Sequence, residues 1–427
     1  MLLSAFPRSL TKALSPLHWG VCLYKKFLPL AVISVCPLSL FSANVKGEIT
    51  LLGSVSVPGD AQDLSGLEGT VGDGTPHNLF GAIGGLEHVN GNQYLALPDR
   101  GPLDGASQFQ CRCHLVELTI DLTRTPAAGF RLLQTSMLKT EDGRPLIGAL
   151  EAFDVKSPSK SLRFDPEGVR VASNGSMFVS DEYGPFLYEF DMAGSRRRIF
   201  PTPTAFSIAR LTSDPDQEEK LNSSGRAKNG GWEGLAITPD ETRLVLATQK
   251  SLLQDVKNAD GGKKERSRTV RLLDIDLASG NSHQLAYLLE DAKNGISELL
   301  AVNDKEFLAL ERDGLGGNEA RTKRIYRIST TGATDVSALQ SLPGDSLPEN
   351  IVPVQKTLFL DLLDPRWGLT GKACPEKWEG LAFGPTLPDG RRVLWVAVDN
   401  DYVPGSPSQF HAFAIDAADL PGFSWKK

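Results

Sequence analysis

The chain has 427 residues, 41 % hydrophobic and 23 % charged, with a formal net charge of −7. Those values fit a globular protein of one large domain or two small ones. The acidic balance argues against nonspecific nucleic-acid binding; it leaves anionic substrates open, because a local field can oppose the net charge.

In chain order, the first feature is an export signal. Lys25 and Lys26 precede an apolar run from Phe27 to Phe41, and Ser42-Ala43 offers a cleavage site. A short apolar stretch behind positive charge, ending in small residues, reads as a secretory peptide over 1–43, with one mature domain over 44–427. The protein is therefore expected to be periplasmic or extracellular, with no membrane span once the signal is removed. Three cysteines remain, Cys111, Cys113 and Cys374. In an oxidising compartment, a disulfide from Cys374 to one of the other two is expected.

Beyond the signal, one unit recurs five times. Its members are Gly85-Leu86-Glu87-His88-Val89, Pro166-Glu167-Gly168-Val169, Trp232-Glu233-Gly234-Leu235-Ala236, Ile296-Ser297-Glu298-Leu299-Leu300 and Trp378-Glu379-Gly380-Leu381-Ala382. Each opens an apolar run, and a turn and a second apolar run follow. The second runs end in Asp99-Arg100-Gly101, Asp181-Glu182-Tyr183-Gly184, Gln249-Lys250, Glu311-Arg312-Asp313-Gly314 and Asp399-Asn400-Asp401. Strand-like runs come in fours. In the second repeat they are Gly168–Ala172, Met177–Asp181, Phe186–Asp191 and Arg197–Phe200, with Ser173-Asn174-Gly175 as the first turn. The fifth repeat lacks a fourth run after Phe410–Ile415, and Ile49–Val57 can supply it. Lending a terminal strand to the last unit closes a ring and removes an exposed edge. The pattern predicts an all-β fold, a β-propeller of five countable four-stranded repeats, with a sixth blade still open. A monomer is expected.

Strand direction places the start of each first run and the end of each second run at one edge, facing the mouth of the central channel. Glu87, Glu167, Glu233, Glu298 and Glu379 are thus expected to gather there. Asp99, Asp181, Glu182, Glu311, Asp313, Asp399 and Asp401 should join them, with Arg100, Lys250 and Arg312 interleaved. So many carboxylates repel one another without a counter-charge, and Ca2+ suits an irregular oxygen cage. The candidate metal ligands are Glu87, Glu167, Asp181, Glu233, Glu298, Glu379, Asp399 and Asp401. Arg100, Lys250 and Arg312 would hold an anionic group, and Glu182 would act as general base. The bland alternative is that the glutamates hydrogen-bond to backbone N–H groups and tie blade to blade. Trp232, Trp378 and Tyr183 border these motifs and are expected to pack between blades. There is no nucleophile elbow, no H-E-x-x-H, no Walker loop and no G-x-G-x-x-G.

On Leu97-Pro98-Asp99-Arg100-Gly101, Asp165-Pro166-Glu167-Gly168, Val179-Ser180-Asp181-Glu182-Tyr183-Gly184-Pro185, the two Trp-Glu-Gly-Leu-Ala motifs, Leu310-Glu311-Arg312-Asp313 and Asp399-Asn400-Asp401, the chain resembles a phytase-like β-propeller family. That family comprises exported bacterial proteins described as having esterase-like activity of phytase. The resemblance spans roughly residues 80 to 415 and implies a propeller that hydrolyses a phosphoester or another ester. The expected substrate is a small anionic or ester molecule. The alternatives are a noncatalytic binding propeller and a propeller resembling lactonases or sugar dehydrogenases.

Overall fold

The computed structural model describes residues 48–72, 74–258 and 264–424. The expected signal over 1–43 lies outside the described residues. Five four-stranded antiparallel sheets make up the fold. Blade I contains Ile83–Asn90, Gln93–Pro98, Arg112–Ile120 and Ala128–Met137. Blade II contains Pro166–Val171, Met177–Asp181, Leu187–Phe190 and Arg196–Phe200. Blade III contains Trp232–Ile237, Arg243–Thr248, Thr269–Asp276 and Ser282–Leu288. Blade IV contains Gly295–Ala301, Glu306–Arg312, Lys323–Ser329 and Gln355–Asp361. In blade V, Lys377–Thr386, Arg392–Asp399 and Ser408–Ile415 are completed by Thr50–Val57. That last strand runs antiparallel to Ser408–Ile415, from Thr50 opposite Ala414 to Val57 opposite Ser408. The ring therefore closes as expected, and the described residues form five blades.

The first strand of each blade lies innermost, and these strands touch in the cyclic order I–II–III–IV–V–I. Pro166–Val171 and Trp232–Ile237 are buried along their whole length. Contact on both faces buries even their charged members, Glu167, Arg170 and Glu233, and removes the polar–apolar alternation of a half-exposed strand. Each of the five interblade spaces holds its own apolar cluster. Leu95, Val169 and Tyr188 fill the gap between blades I and II, for example, and Leu86, Ala382 and Trp395 the gap between V and I. Burying one such leucine or phenylalanine contributes roughly 1.5–3 kcal/mol, so the blades are held mainly by these wedges.

Connections carry the irregular structure. The turn at Ser173-Asn174-Gly175 has Gly175 at φ 84°, and Asn174 Oδ1 accepts the Ser176 N–H at 2.9 Å. The insertion between blades II and III holds a short helix, Pro215–Leu221, capped by Asp214. No helix among the described residues is long and apolar enough to cross a membrane.

The expected disulfide is not present: Cys111, Cys113 and Cys374 are free and buried. Cys111 and Cys113 point into the wedge between blades I and II. Cys374 instead lies near Lys323 and Trp378 and donates to the Pro375 carbonyl. Adjacency of the first and last blades is thus not enough to bring these thiols together.

Candidate functional site

Strand register decides which residues reach the mouth. In blade III Trp232 pairs with Thr248 and Leu235 with Leu246. In blade V Trp378 pairs with Val398 and Leu381 with Val396. Blade II repeats this pattern with Pro166 and Val169. In blade IV the matching positions are Ile296 and Leu299, and in blade I Ile83 and Leu86. The position of Glu167, Glu233 and Glu379 is therefore taken by Ser297 in blade IV and Gly84 in blade I. Glu298 comes one residue too late and Glu87 three, and a one-residue slip turns a side chain to the other face.

The next position confirms the alignment. A Cβ on Gly85, Gly168, Gly234 or Gly380 would stand within 3 Å of the neighbouring inner strand. Glycine there lets adjacent strands approach closely. Glu298 occupies the same position in blade IV.

Glu167, Glu233 and Glu379 do converge. A Cβ on Gly84 would be 3.1 Å from Glu167 Oε2 and 3.5 Å from Glu379 Oε2. Asp165, Glu167 and Glu182 each bring an oxygen to within 4.8 Å of the others. All of these carboxylates are less than 10 % exposed. Burial, followed by the charges of Glu233, Asp165, Glu182 and Glu379, pushes the Glu167 carboxyl well above the usual range. Burial and then Glu182 and Glu379 do the same to Glu233. Burial also lifts Asp165, to about 6, against the opposing pull of Arg100.

The bases interleave as expected, and each already has protein partners. Arg100 Nη1 donates to Asp165 Oδ2 at 2.6 Å and lies 3.5 Å from Glu182 Oε2. Its Nη2 donates to Asn229 Oδ1 at 3.0 Å. Lys250 Nζ donates to the Asn229 carbonyl, and burial lowers its pKa to about 8. Arg312 pairs with Glu379. Gln249 Nε2 donates to Glu233 Oε1 at 2.7 Å. Four buried atoms in this region have no partner: Glu182 Oε1, Glu233 Oε2, Ser297 Oγ and Arg312 Nε. Of these residues Glu182 lines a cavity of about 420 Å³, together with Arg100, Tyr183, Arg226, Lys228 and Asn229, among others.

The remaining expected ligands lie apart from this group. Arg170 donates to the carbonyls of Leu86 in blade I and Leu299 in blade IV, and its Nη2 is 3.0 Å from Glu298 Oε2. A guanidinium that bridges these non-adjacent blades must lie across the channel. Glu298 also accepts the N–H groups of Leu235 and Leu299, and Glu87 lies 3.8 Å from Arg170. Both glutamates therefore tie blades together inside the channel rather than joining the mouth. Glu87 also borders a largely apolar cavity of about 500 Å³ lined by Val171, Ile237, Leu300 and Phe383. The mouth charges are absent from that cavity, whereas Arg100 and Glu182 line the smaller one.

Hairpin-end acids serve mainly as turn anchors. Asp181 accepts the N–H groups of Asp165, Tyr183 and Gly184. Asp313 binds Lys323 Nζ at 2.7 Å and two backbone N–H groups of the following loop. Glu311 turns away to Tyr287, Asn294 and Lys356. Asp99, Asp399 and Asp401 form a second close carboxylate group, but Lys377 Nζ sits 3.0 Å from both Asp399 and Asp401. Asn400 Oδ1 accepts the Ala82 N–H at 2.8 Å and so ties blade V to blade I. Trp232 and Trp378 are buried in interblade wedges as expected, whereas Tyr183 forms part of the cavity wall.

A family model described as "Phytase-like: Esterase-like activity of phytase" matches residues 78–402. The chain belongs to this phytase-like family. An "Uncharacterized secreted protein" of Arthroderma benhamiae is 26 % identical over 426 aligned positions, covering 76 % of this chain and 81 % of that protein. Among solved structures, the PQQ-bound aldose sugar dehydrogenase of Streptomyces coelicolor is 12 % identical, with 87 % of this chain and 99 % of that one covered and a TM-score of 0.37. The major allergen Mala s 1 of Malassezia sympodialis is 9 % identical, with 83 % and 84 % covered and a TM-score of 0.38. Neither structural likeness is close enough to bear on the chemistry of the phytase-like site.

Four residues of the mouth were not singled out from the sequence. Asp165 stands two positions before Glu167, and Lys377 directly precedes Trp378. Ser297 emerges only from strand register, because blade IV carries Glu298 where the other four blades carry the aligning glycine. Asn229, at φ 46° in the tip of an insertion, carries no repeat signal at all.

Proposed function

We propose that the protein is an exported hydrolase of a phosphoester or another ester, with calcium as its cofactor and the charged mouth as its site. One observation carries this reading: a phytase-like propeller buries carboxylates and guanidinium groups side by side, with partnerless atoms of both signs, Glu182 Oε1 and Arg312 Nε. The printed name of the Arthroderma benhamiae relative, a secreted protein, supports export. The oxygen-rich, low-water setting of Glu167, Glu182 and Glu233 fits a hard cation. Bound there, calcium would polarise an ester oxygen and lower the pKa of a water.

The chain's own residues do the rest. Arg100 and Lys250, held 3.0 Å and closer by Asn229, present positive charge beside Glu182 and orient an anionic group. Arg312 offers its free Nε to charge that develops as the ester bond breaks. Glu182 takes the proton of the attacking water. The cavity bordered by Tyr183 receives the leaving group.

The test is turnover of p-nitrophenyl phosphate and p-nitrophenyl acetate by the purified protein. We expect hydrolysis of at least one, lost on chelation and restored by calcium, and a drop of about 100-fold or more in Glu182→Gln. No turnover of either ester with calcium present would overturn the hydrolase. Turnover unchanged by chelation would remove the metal.

A further inference from the structure

Two carboxylate groups share this mouth, and each has one basic side chain beside it, Lys377 in one and Arg100 in the other. In the group Asp99–Asp399–Asp401, Lys377 Nζ lies 3.0 Å from two members and supplies the counter-charge. Asp99 Oδ1 and Asp399 Oδ1 are further engaged by backbone N–H groups of Gly101 and Asp401. Both oxygens of Asp399 are thereby occupied, and Lys377 stands between Asp399 and Asp401 where a cation would sit.

The group Asp165–Glu167–Glu182 differs. Arg100 occupies both oxygens of Asp165, one through its backbone N–H at 3.1 Å and one through Nη1 at 2.6 Å. Arg100 nears only one oxygen of Glu182, and the other is buried without a partner. Glu167 is 7 % exposed, and among the described residues its carboxylate meets Asp165 and Glu182 rather than a donor. Glu233, whose charge acts on Glu167, is 3 % exposed and keeps one oxygen unpaired. Ser297 stands at the equivalent inner-strand position in blade IV with a buried, partnerless hydroxyl. A buried, unsatisfied carboxylate costs several kcal/mol, and a bound cation removes that cost.

We infer that Glu167, Glu182 and Glu233 hold one divalent cation, with Asp165 and Ser297 at its edge, and that Asp99–Asp399–Asp401 holds none. The inference deepens the metal-dependent reading above and assigns its cation to one of two candidate places. One oxygen of Glu182 then faces the cation, while the other, 3.5 Å from Arg100 Nη1, keeps a lone pair for the proton of the attacking water. Gly84 contributes by absence, because a Cβ at this position would press on Glu167 Oε2 at 3.1 Å.

Calcium itself is the probe, titrated by calorimetry into protein stripped with chelator, with terbium luminescence as a second readout. One site per chain is expected, weakened about 100-fold by Glu167→Gln and by Glu233→Gln, while Asp401→Asn changes affinity less than threefold. Thermal unfolding of each variant checks the fold, and two independent ligand variants guard against one failing to fold. No binding at millimolar calcium would overturn the inference. So would binding that survives both glutamine variants, or binding lost in Asp401→Asn. Binding without turnover leaves this site standing and removes the hydrolase; turnover without binding does the reverse.

Discussion

Replacing Arg170 tests whether Glu298 belongs to the scaffold or to the mouth. In Arg170→Met, Glu298, fully buried, loses a cation at 3.0 Å. The carbonyls of Leu86 and Leu299 lose donors that bridge blades I and IV. Breaking a buried pair from one side costs roughly 3–5 kcal/mol, because the other charge is left uncompensated. Burial already lifts the Glu298 carboxyl to about 7 with Arg170 present, so without Arg170 the carboxyl takes up a proton, and the loss falls toward the lower end of that range. The double variant Arg170→Met/Glu298→Gln removes the stranded charge and should recover about 1–3 kcal/mol, the usual size of a coupling between touching residues. Urea unfolding of the wild type, both single variants and the double variant gives the cycle. A loss below about 1 kcal/mol in Arg170→Met would refute the axial tie. Folded Glu298→Gln protein that no longer binds calcium would return Glu298 to the mouth.

Three further outcomes are expected. His411 is buried and held neutral, its pKa lowered to about 4; the stability this confers is present above pH 6.5 and is lost as pH falls through about 4, at up to about 1.4 kcal/mol per pH unit. His411→Gln should therefore flatten the acid limb of a stability–pH curve, and an unchanged slope would contradict this. Asn229→Ala removes the side-chain oxygen that holds Arg100 and leaves the backbone carbonyl that holds Lys250; it should raise KM for an anionic ester about tenfold, with thermal unfolding as the check on the fold, and an unchanged KM would remove Asn229 as a positioning residue. Cys111, Cys113 and Cys374 should alkylate only after unfolding, and peptide mapping that finds any of them in a disulfide would contradict the free thiols.

The propeller was legible because its signal is repeated and local. Each inner strand is buried on both faces, so it lacks the polar–apolar alternation of a half-exposed strand. Each hairpin must turn, and Gly or Asn punctuates four of the five inner ones, at Gly91, Gly175, Asn303 and Gly390, while blade III turns at Asp240-Glu241. Even the closing strand could be placed, because blade V visibly lacked a partner for Ser408–Ile415. The site was legible only in part. Glu167, Glu233 and Glu379 follow from the motif, whereas Glu87 and Glu298 were aligned on the wrong letter. The glutamates were the conspicuous residues, but the glycines fix the register, because Gly85, Gly168, Gly234 and Gly380 are constrained by the next strand. Long-range partners left no trace. Nothing near Arg170 announces that it crosses the channel, and nothing near Asn229 announces that it bridges two bases. The disulfide failed for a related reason: blade adjacency fixes neighbourhood to within a sheet, while thiol pairing requires Cα atoms within about 7 Å.

The most direct measurement is a crystal structure of the protein grown with calcium and a nonhydrolysable phosphate ester. The account predicts a cation bound by Glu167, Glu182 and Glu233, with the phosphate reaching toward Arg100, Lys250 and Arg312. A cation on Asp99, Asp399 and Asp401, or a phosphate bound away from this mouth, would contradict it.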